Sequence, residues 1–327
     1  MRPFNDLTER GQVRRLRQLA LNALAAYDIA VARLQFVAVH TNTLFRVRTA
    51  DGQNYMLRIC TPGEHSDADR HIEAAWLNAL GDADFPTPQV ILTTSGEPYV
   101  YANGDGVPEA RACVLFSWIP GKSLDERESA ENYARIGTLM AQLHTFAESY
   151  QLPTEFRPMQ WNTTFYWDEP YTLDDPAYAH LITPQRRAIL DVAIARVETY
   201  LQTLFSQSPT PPILLHGDMH CGNVHLHRNK LYALDFEDLM LGYPIQDIAI
   251  TLYYGRDEPD YPIWRAALKE AYSAVRPWPE QADEAIDLLR IGRMLTFINY
   301  VTHAMPNEAE DYLSNWFPKI EAYLEEN

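Results

Sequence analysis

The chain has 327 residues, of which 46% are hydrophobic and 12% aromatic, so it is long and apolar enough to bury a core and is not a disordered chain. Its 27 basic and 44 acidic residues give a formal net charge of -17, which argues against a protein that grips a phosphate backbone. No stretch reads as a signal peptide or a membrane-spanning helix, and the three scattered cysteines are too few for a disulfide framework. We therefore expect a cytoplasmic protein with no nucleic-acid or membrane partner, whose oligomeric state the sequence leaves open.

The first 117 residues predict a small β-rich lobe that follows a leading helix. Helical spacing of apolar residues predicts helices over 8–27 and 66–80, the second begun by Ser66 or Asp67. Asp51-Gly52 stands between two alternating segments and is a strong hairpin signal. Strands are expected over 33–40, 43–49, 54–60, 88–93, 98–102 and 111–119.

The rest of the chain changes character after Pro120-Gly121, a pair that punctuates the sequence. Helical patterns recur over 129–147, 184–206, 244–256, 262–275, 280–302 and 308–325. A short β-rich segment over 213–236 interrupts them. We therefore predict an α+β protein of two lobes, 1–117 and 118–327, with a hinge at about 117–121.

The densest group of functional side chains lies in 216–238, HGDMHCGNVHLHRNKLYALDFED. Asp218 precedes Asn223 with the D-x-x-x-x-N spacing of a kinase catalytic loop, and Asp235-Phe236 follows where a metal-binding aspartate of the DFG type is expected. Phosphoryl transfer needs an acceptor that orients the incoming hydroxyl and hard oxygen ligands for Mg²⁺. Asp218 supplies the first, and Asn223 and Asp235 supply the second.

A zinc site is the competing interpretation of the same segment. Its histidines and cysteine are His216, His220, Cys221, His225 and His227, and these are ligand types that zinc accepts. None of them reproduces a paired CxxC or HExxH spacing. A zinc hydrolase therefore stays as the weaker alternative.

The segments HGDMHCGNV and ALDFEDLMLGYPIQDIAI resemble the aminoglycoside phosphotransferase-type kinases, a small-molecule branch of the protein-kinase-like fold. The resemblance implies ATP and Mg²⁺ as cofactors, Asp218 as the catalytic aspartate, and Asn223 and Asp235 as the metal ligands. It also implies that Asp247 braces the catalytic loop. Glu237 departs from the protein-kinase pattern, which has glycine at that position.

The same resemblance extends to the first lobe, where it implies a nucleotide-binding site. The strand after Asp51-Gly52 should carry a cation toward the phosphates, but the first lysine of the chain is Lys122. Arg58 takes that place, with Glu73 on the following helix as its expected partner. A surface salt bridge is the alternative for this pair.

Two further segments of the first lobe are expected at the nucleotide. The polar turn around Asn42, with Thr41 and Thr43, would contact phosphate. Ser117 and Ile119 of VLFSWIPGKSL would meet the adenine edge through their backbone groups.

These residues predict an ATP- and Mg²⁺-dependent phosphotransferase that acts on a hydroxyl of a small molecule. A protein Ser/Thr kinase of the same fold and a nucleotide-binding pseudokinase are the alternatives, the latter kept open by Arg58. Residues 118–327 carry 16 basic and 31 acidic residues, so we expect an acceptor that bears an amine. Candidate linings are the segment 167–175 and Glu237-Asp238.

Overall fold

The computed structural model describes residues 2–125, 128–167, 170–279 and 283–326. The chain divides into two compact units. The first comprises Met1–Ser123 and Val224–Glu237, and the second comprises Leu124–Asn223 and Asp238–Asn327. The described residues contain both antiparallel sheet and long helices, so the α+β class expected from the sequence is confirmed.

An antiparallel sheet of six strands forms the first unit. The strands are Val31–Val39 (β1), Thr43–Thr49 (β2), Asn54–Ile59 (β3), Val90–Ile91 (β4), Val100–Ala102 (β5) and Arg111–Ser117 (β6). Their order is β1-β2-β3-β6-β4, and β5 pairs with the first three residues of β6. Gly52 adopts φ +89 between β2 and β3, as the predicted hairpin requires.

Two helices accompany this sheet, at Glu9–Leu24 (α1) and Asp67–Asp82 (α2). The apolar face of α1 places Leu16, Leu19 and Leu24 in one core with the inward residues Phe45 and Leu57 of the sheet. Ser66 caps α2: its hydroxyl accepts from the Asp69 N–H, and the Asp69 side chain accepts from the Ser66 N–H. This capping box fixes where α2 begins and therefore where its glutamate lies.

A second sheet of the first unit joins a two-residue strand, Lys122–Ser123 (β7), to a hairpin of Val224–His227 (β10) and Lys230–Ala233 (β11). Arg228 and Asn229 between the hairpin strands both have positive φ, which is typical of a two-residue type I′ turn. This hairpin lies within 118–327, the predicted second lobe, but it groups with the first unit, where β10 pairs with β7. The functional division into a nucleotide lobe and an acceptor lobe stays a prediction.

Six helices and a three-stranded sheet are described in the second unit. The strands of this sheet are Met159–Gln160 (β8), Ile213–Leu215 (β9) and Met240–Gly242 (β12). Their order is β8-β12-β9, so the start of the predicted β-rich segment 213–236 pairs with β12 and not with the hairpin that follows it. The helices are Ala130–Ser149 (α3), Pro184–Gln207 (α4), Pro244–Tyr254 (α5), Tyr261–Ser273 (α6), Asp283–Ala304 (α7) and Ala309–Glu326 (α8).

Candidate active site

The loop that carries Asp218 leaves β9 through a glycine that no other residue can replace without strain. Gly217 has φ +82, and a Cβ built on it would lie 2.0 Å from the carbonyl oxygen of Asp238. Both the left-handed backbone and the close approach therefore demand glycine. The loop continues to a short 3₁₀ turn at Cys221–Asn223.

Asp247, on α5, braces the start of this loop as the resemblance implies. Its carboxylate oxygens accept hydrogen bonds from the backbone N–H groups of His216 at 3.0 Å and Gly217 at 2.9 Å. His144 on α3 lies 3.0 Å from the same carboxylate, which is completely buried. Burial acts to raise the pKa of Asp247, but the hydrogen bond and charge of His144 outweigh it, so the pKa is lowered.

Asp218 is surrounded by hydrogen-bond donors from three segments of the second unit. Oδ1 accepts from Tyr254 Oη at 2.6 Å and from Arg293 Nη2 at 3.0 Å. Oδ2 accepts from Asn223 Nδ2 at 3.1 Å and lies 3.5 Å from His220 Nε2. The position of the carboxylate is therefore fixed from both sides.

These partners keep Asp218 ionised. Burial acts to raise its pKa, but the hydrogen bond and charge of His220, the charge of Arg293 and the hydrogen bond from Tyr254 together lower it to about 2. Burial and the Asp218 charge also raise the pKa of Tyr254 well above its usual value, so this phenol stays a donor. Such a carboxylate is a weak base, and it stays ionised and accepts hydrogen bonds.

Tyr254 was not predicted from the sequence as a residue of this site, and neither was Arg293. Arg293 lies on α7, its side chain is only 1% exposed, and it also donates to the hydroxyl of Tyr166. Its guanidinium lies 4.8 Å from the ring centre of Trp167 and 4.7 Å from that of Phe297. The one signal in the sequence was an arginine within an otherwise apolar helical pattern, RMLTFINYV.

Asn223 is held by two hydrogen bonds from its amide nitrogen, at 2.9 Å to the carbonyl of Asp218 and at 3.1 Å to its carboxylate. The amide oxygen is thus the atom that it can offer to a metal.

Two histidines of the zinc alternative have other partners. His220 stacks on Tyr254 with ring centres 4.1 Å apart, and His216 Nδ1 accepts from the Asp218 N–H. Within the described ranges, no group of three or more His, Cys, Asp or Glu residues is arranged to hold a metal.

Arg58 and Glu73 form a buried ion pair in the first unit. Arg58 Nη1 donates to Glu73 Oε1 at 2.9 Å and Nη2 donates to Glu73 Oε2, with side-chain exposures of 6% and 4%. The pair is therefore not the surface salt bridge that was the alternative. Burial acts to lower the pKa of Arg58, but the charges of Glu73 and Glu237 raise it, so the cation is permanent.

Two further carboxylates approach the same guanidinium. Asp235 Oδ1 lies 3.6 Å and Glu237 Oε2 lies 3.4 Å from Arg58 Nη1. Asp235 has φ +61, an uncommon conformation for a residue other than glycine, and such strain is often found at functional positions. Asn42 Nδ2 donates to Glu237 Oε2 at 2.6 Å, while Asn42 Oδ1 accepts from the Thr61 N–H at 2.9 Å. The structure thus gathers four predicted or singled-out residues around Arg58.

The two residues predicted to contact adenine, Ser117 and Ile119, lie at and just after the end of β6. The Ser117 N–H donates to the carbonyl of Gln89 at 2.8 Å, and the Ser117 hydroxyl accepts from the Gln89 N–H at 2.9 Å. Ser117 is thus tied to Gln89 through both its backbone N–H and its hydroxyl. Ile119 follows the end of β6 and is half-buried.

The predicted acceptor linings are largely engaged elsewhere. Asp168 and Glu169 lie outside the described residues. Asp174 forms an ion pair with Arg187, and the Trp167 ring faces Arg293. Glu237 contacts Arg58 and Asn42 within the first unit. The lining of an acceptor site by these segments stays a prediction.

The comparison with known proteins agrees with this architecture. The fold is the protein-kinase-like one: a solved microcompartment-associated aminopropanol kinase matches with a TM-score of 0.76 and 21% identity over 95% of this chain and 97% of that one. The amicoumacin kinase hAmiN, solved with AMP-PNP, Ca²⁺ and Ami, matches with a TM-score of 0.73 and 18% identity over 97% and 94%. The expected two-lobed, kinase-like fold class is confirmed.

Sequence similarity gives the family. The model of the phosphotransferase enzyme family matches residues 33–283, so the chain belongs to that family. The amicoumacin kinase of Bacillus subtilis (strain 168) is 24% identical over 238 residues, which are 72% of this chain and 67% of that kinase. The resemblance seen in the sequence and the expectation of a kinase-type phosphotransferase are confirmed. Among the described helices, none combines the length and apolarity needed to cross a membrane.

Proposed function

We propose that this phosphotransferase moves the γ-phosphoryl group of ATP to a hydroxyl group of a small molecule, with Asp218 as its catalytic residue. The observation that carries the proposal is the environment of the Asp218 carboxylate. It lies in a D-x-x-x-x-N loop, accepts hydrogen bonds from Tyr254, Arg293 and Asn223, and has a pKa of about 2. The structural Asp247 has as many polar partners but is completely buried, whereas the Asp218 side chain is 17% exposed, so an acceptor hydroxyl can reach it.

In this proposal Asp218 orients the acceptor hydroxyl and receives its proton late in the reaction. A carboxylate of such low basicity does not take the proton of the acceptor hydroxyl in the ground state. Phosphoryl transfer passes through a loose transition state in which positioning and charge stabilisation matter more than early deprotonation. A fixed, ionised acceptor is suited to that task.

The first unit supplies the groups for ATP. The buried Arg58 provides a permanent cation for a phosphate oxygen, and the two-point contact with Glu73 sets the plane of its guanidinium. Asn42 belongs to the turn that we place at the phosphates, and the backbone of Ser117 and Ile119 is assigned to the adenine edge.

Asn223 and Asp235 are the residues that would hold Mg²⁺. Their donor atoms, an amide oxygen and a carboxylate, are the hard oxygen ligands that this ion prefers. The amide nitrogen of Asn223 donates to Asp218, so its oxygen is the atom assigned to the ion. The ion, when bound, neutralises charge on the phosphates.

The acceptor is proposed to carry an amine. Residues 118–327 have a large acidic excess, and the related proteins include kinases named for aminopropanol and amicoumacin. The three cysteines are buried thiols in the described chain, which fits the reducing cytoplasm where we place the protein.

The test is a screen of purified protein for acceptor-dependent ADP production with ATP and Mg²⁺. The panel contains amino alcohols, hydroxy amino acids, aminoglycosides and neutral sugars, and the Asp218→Asn variant is run beside the parent on each. The proposal is supported by turnover of an amine-bearing alcohol that the variant lacks. Turnover retained in the variant would remove Asp218 from the chemistry, and turnover of neutral sugars alone would overturn the acceptor class.

A further inference from the structure

Glu237 places one oxygen atom where several donors of the first unit converge. Its Oε2 accepts from Asn42 Nδ2 at 2.6 Å and lies 3.4 Å from Arg58 Nη1 and 4.0 Å from His65 Nε2. The Glu237 side chain is 12% exposed. An arginine, an amide and an imidazole gathered around a single oxygen form the kind of site that binds an anion.

The rest of the arrangement separates the role of Glu237 from that of Glu73. Glu73 holds both terminal nitrogens of Arg58, so it already orients the guanidinium. Glu237 and Asp235 bring further negative charge to Nη1, at 3.4 and 3.6 Å. Both glutamates line a small cavity beside Arg58, and Glu237 is the more exposed of the two, with 12% of its side chain exposed against 4% for Glu73.

We propose that Glu237 is an intramolecular competitor of the nucleotide: its carboxylate and a phosphate oxygen of ATP bind to the same donors, Arg58 and Asn42, and exclude each other. This inference rests on the proposed function, because it takes Arg58 and Asn42 as phosphate contacts. Glu73 and Asp235 already lie at Arg58 Nη1, at 2.9 and 3.6 Å, and the Asn42 amide is occupied by Glu237. A phosphate oxygen that bound to both donors would therefore meet the Glu237 carboxylate at close range, where like charges repel strongly. Glu237 thus lowers the affinity for ATP and keeps the donors paired when no phosphate is bound.

The competition predicts that neutralising Glu237 strengthens the binding of ATP. Glu237→Gln keeps the shape and an oxygen for Asn42 but removes the charge that opposes phosphate. We expect it to bind metal-free ATP about tenfold more tightly than the parent, since a hydrogen bond between charged groups is released from competition. If Glu237 instead positioned Asn42 and Arg58 for ATP, its removal would weaken binding.

The experiment is calorimetric titration of the full chain with ATP in EDTA, so that no metal ligation enters. Adenosine, which lacks phosphate, is titrated in parallel and should bind parent and Glu237→Gln equally. Glu64→Gln is the matched control, because Glu64 is an exposed carboxylate close in sequence to His65 and its neutralisation raises the net charge of the unit by the same amount. Glu237→Asp, which keeps the charge but shortens the reach by one methylene, should give an intermediate gain.

Each result has one meaning. ATP affinity that is unchanged or weaker in both Glu237 variants overturns the competition. An equal gain for adenosine, or an equal gain in Glu64→Gln, overturns it too, because the effect would then not lie at the phosphates. If neither the parent nor Glu237→Gln binds ATP in EDTA, the competition is overturned, whereas the proposed function is decided separately by the screen with ATP and Mg²⁺.

Discussion

Arg293 Nη2 lies 3.0 Å from Oδ1 of Asp218, although the two residues are 75 positions apart and belong to a helix and a loop. The arginine is buried and the aspartate nearly so, with exposures of 1% and 17%. Coulomb attraction in such a partly desolvated place is strong, but each partner left alone is costly. The geometry of the candidate catalytic residue thus depends on a helix that contains no recognisable motif.

This pairing predicts that Arg293→Met lowers both stability and turnover. Asp218 would lose its cation while remaining partly buried, and breaking such pairs costs about 3–5 kcal/mol. The value should lie near the low end because Tyr254 and Asn223 still donate to the carboxylate. Urea unfolding and kcat with the acceptor found in the screen provide the measurements.

Arg293→Lys and Arg290→Met serve as controls for that experiment. Lysine keeps a cation near Asp218, so kcat should recover well above the Met variant. Arg290 is on the same helix and pairs with the more exposed Asp287, with exposures of 17% and 32%, so its loss should cost about 1 kcal/mol or less. An equal loss in the two Met variants would mean that the contact with Asp218 has no special weight.

Asp218→Asn should lower kcat by roughly 10²–10⁴, the usual scale for an acid–base group, while ATP binds as in the parent. Asparagine keeps the size of the side chain and an oxygen for Tyr254 or Arg293, so the loop should hold its shape. Stopped-time ADP assays give kcat, and calorimetry with ATP gives the affinity. Near-normal turnover would rule out a role of this carboxylate in the reaction.

Variants of Arg58 can separate its two roles, the positive charge that it offers to phosphate and the ion pair that it forms with Glu73. Arg58→Met leaves Glu73 buried without its partner, which should cost about 3–5 kcal/mol of stability, and should weaken ATP binding. The double variant Arg58→Met with Glu73→Gln removes the unpaired charge, so stability should largely return.

ATP affinity should not return in that double variant, because no cation is restored. Arg58→Lys should keep more affinity than either, since a point charge still reaches phosphate although the two-point contact with Glu73 is lost. ATP affinity in the double variant equal to that of the parent would show that Arg58 is only structural.

Much of this architecture follows from local sequence signals, and the parts that do not are formed by distant contacts. The helix begun by Ser66 and the hairpin at Gly52 were predicted because capping boxes and turn glycines act over a few residues. The two-residue strands β7 and β8 were not, because pairing with β10 and β12 alone defines them. Arg293 escaped notice for the same reason: its partner is 75 residues away.

Acid stability should depend on Asp247, whose pKa is lowered in the folded protein. A carboxyl with a lowered folded pKa contributes stability above its unfolded pKa of about 3.9 and loses it as the pH falls through the folded value. The unfolding free energy of the parent should therefore drop below about pH 4. In Asp247→Asn the drop should be shallower, whereas Asp191→Asn, at an exposed ion pair, should follow the parent. Identical slopes in all three proteins would contradict this assignment.

The last prediction concerns the charge of the acceptor. Residues 118–327 hold 16 basic and 31 acidic residues, so an approaching cation is attracted and an anion repelled. We expect the acceptor to carry at least one positive charge and its KM to rise with ionic strength, because salt screens exposed charges over about 10 Å at 0.1 M. Initial rates at several acceptor and salt concentrations measure this dependence, with KM for ATP followed in the same series to separate effects on the nucleotide.

The N-acylated form of the acceptor, which keeps the hydroxyl but loses the charge, is the matched control and should show a higher, salt-independent KM. Equal KM values for the amine and its acylated form would show that the acidic excess of this region plays no part in choosing the acceptor.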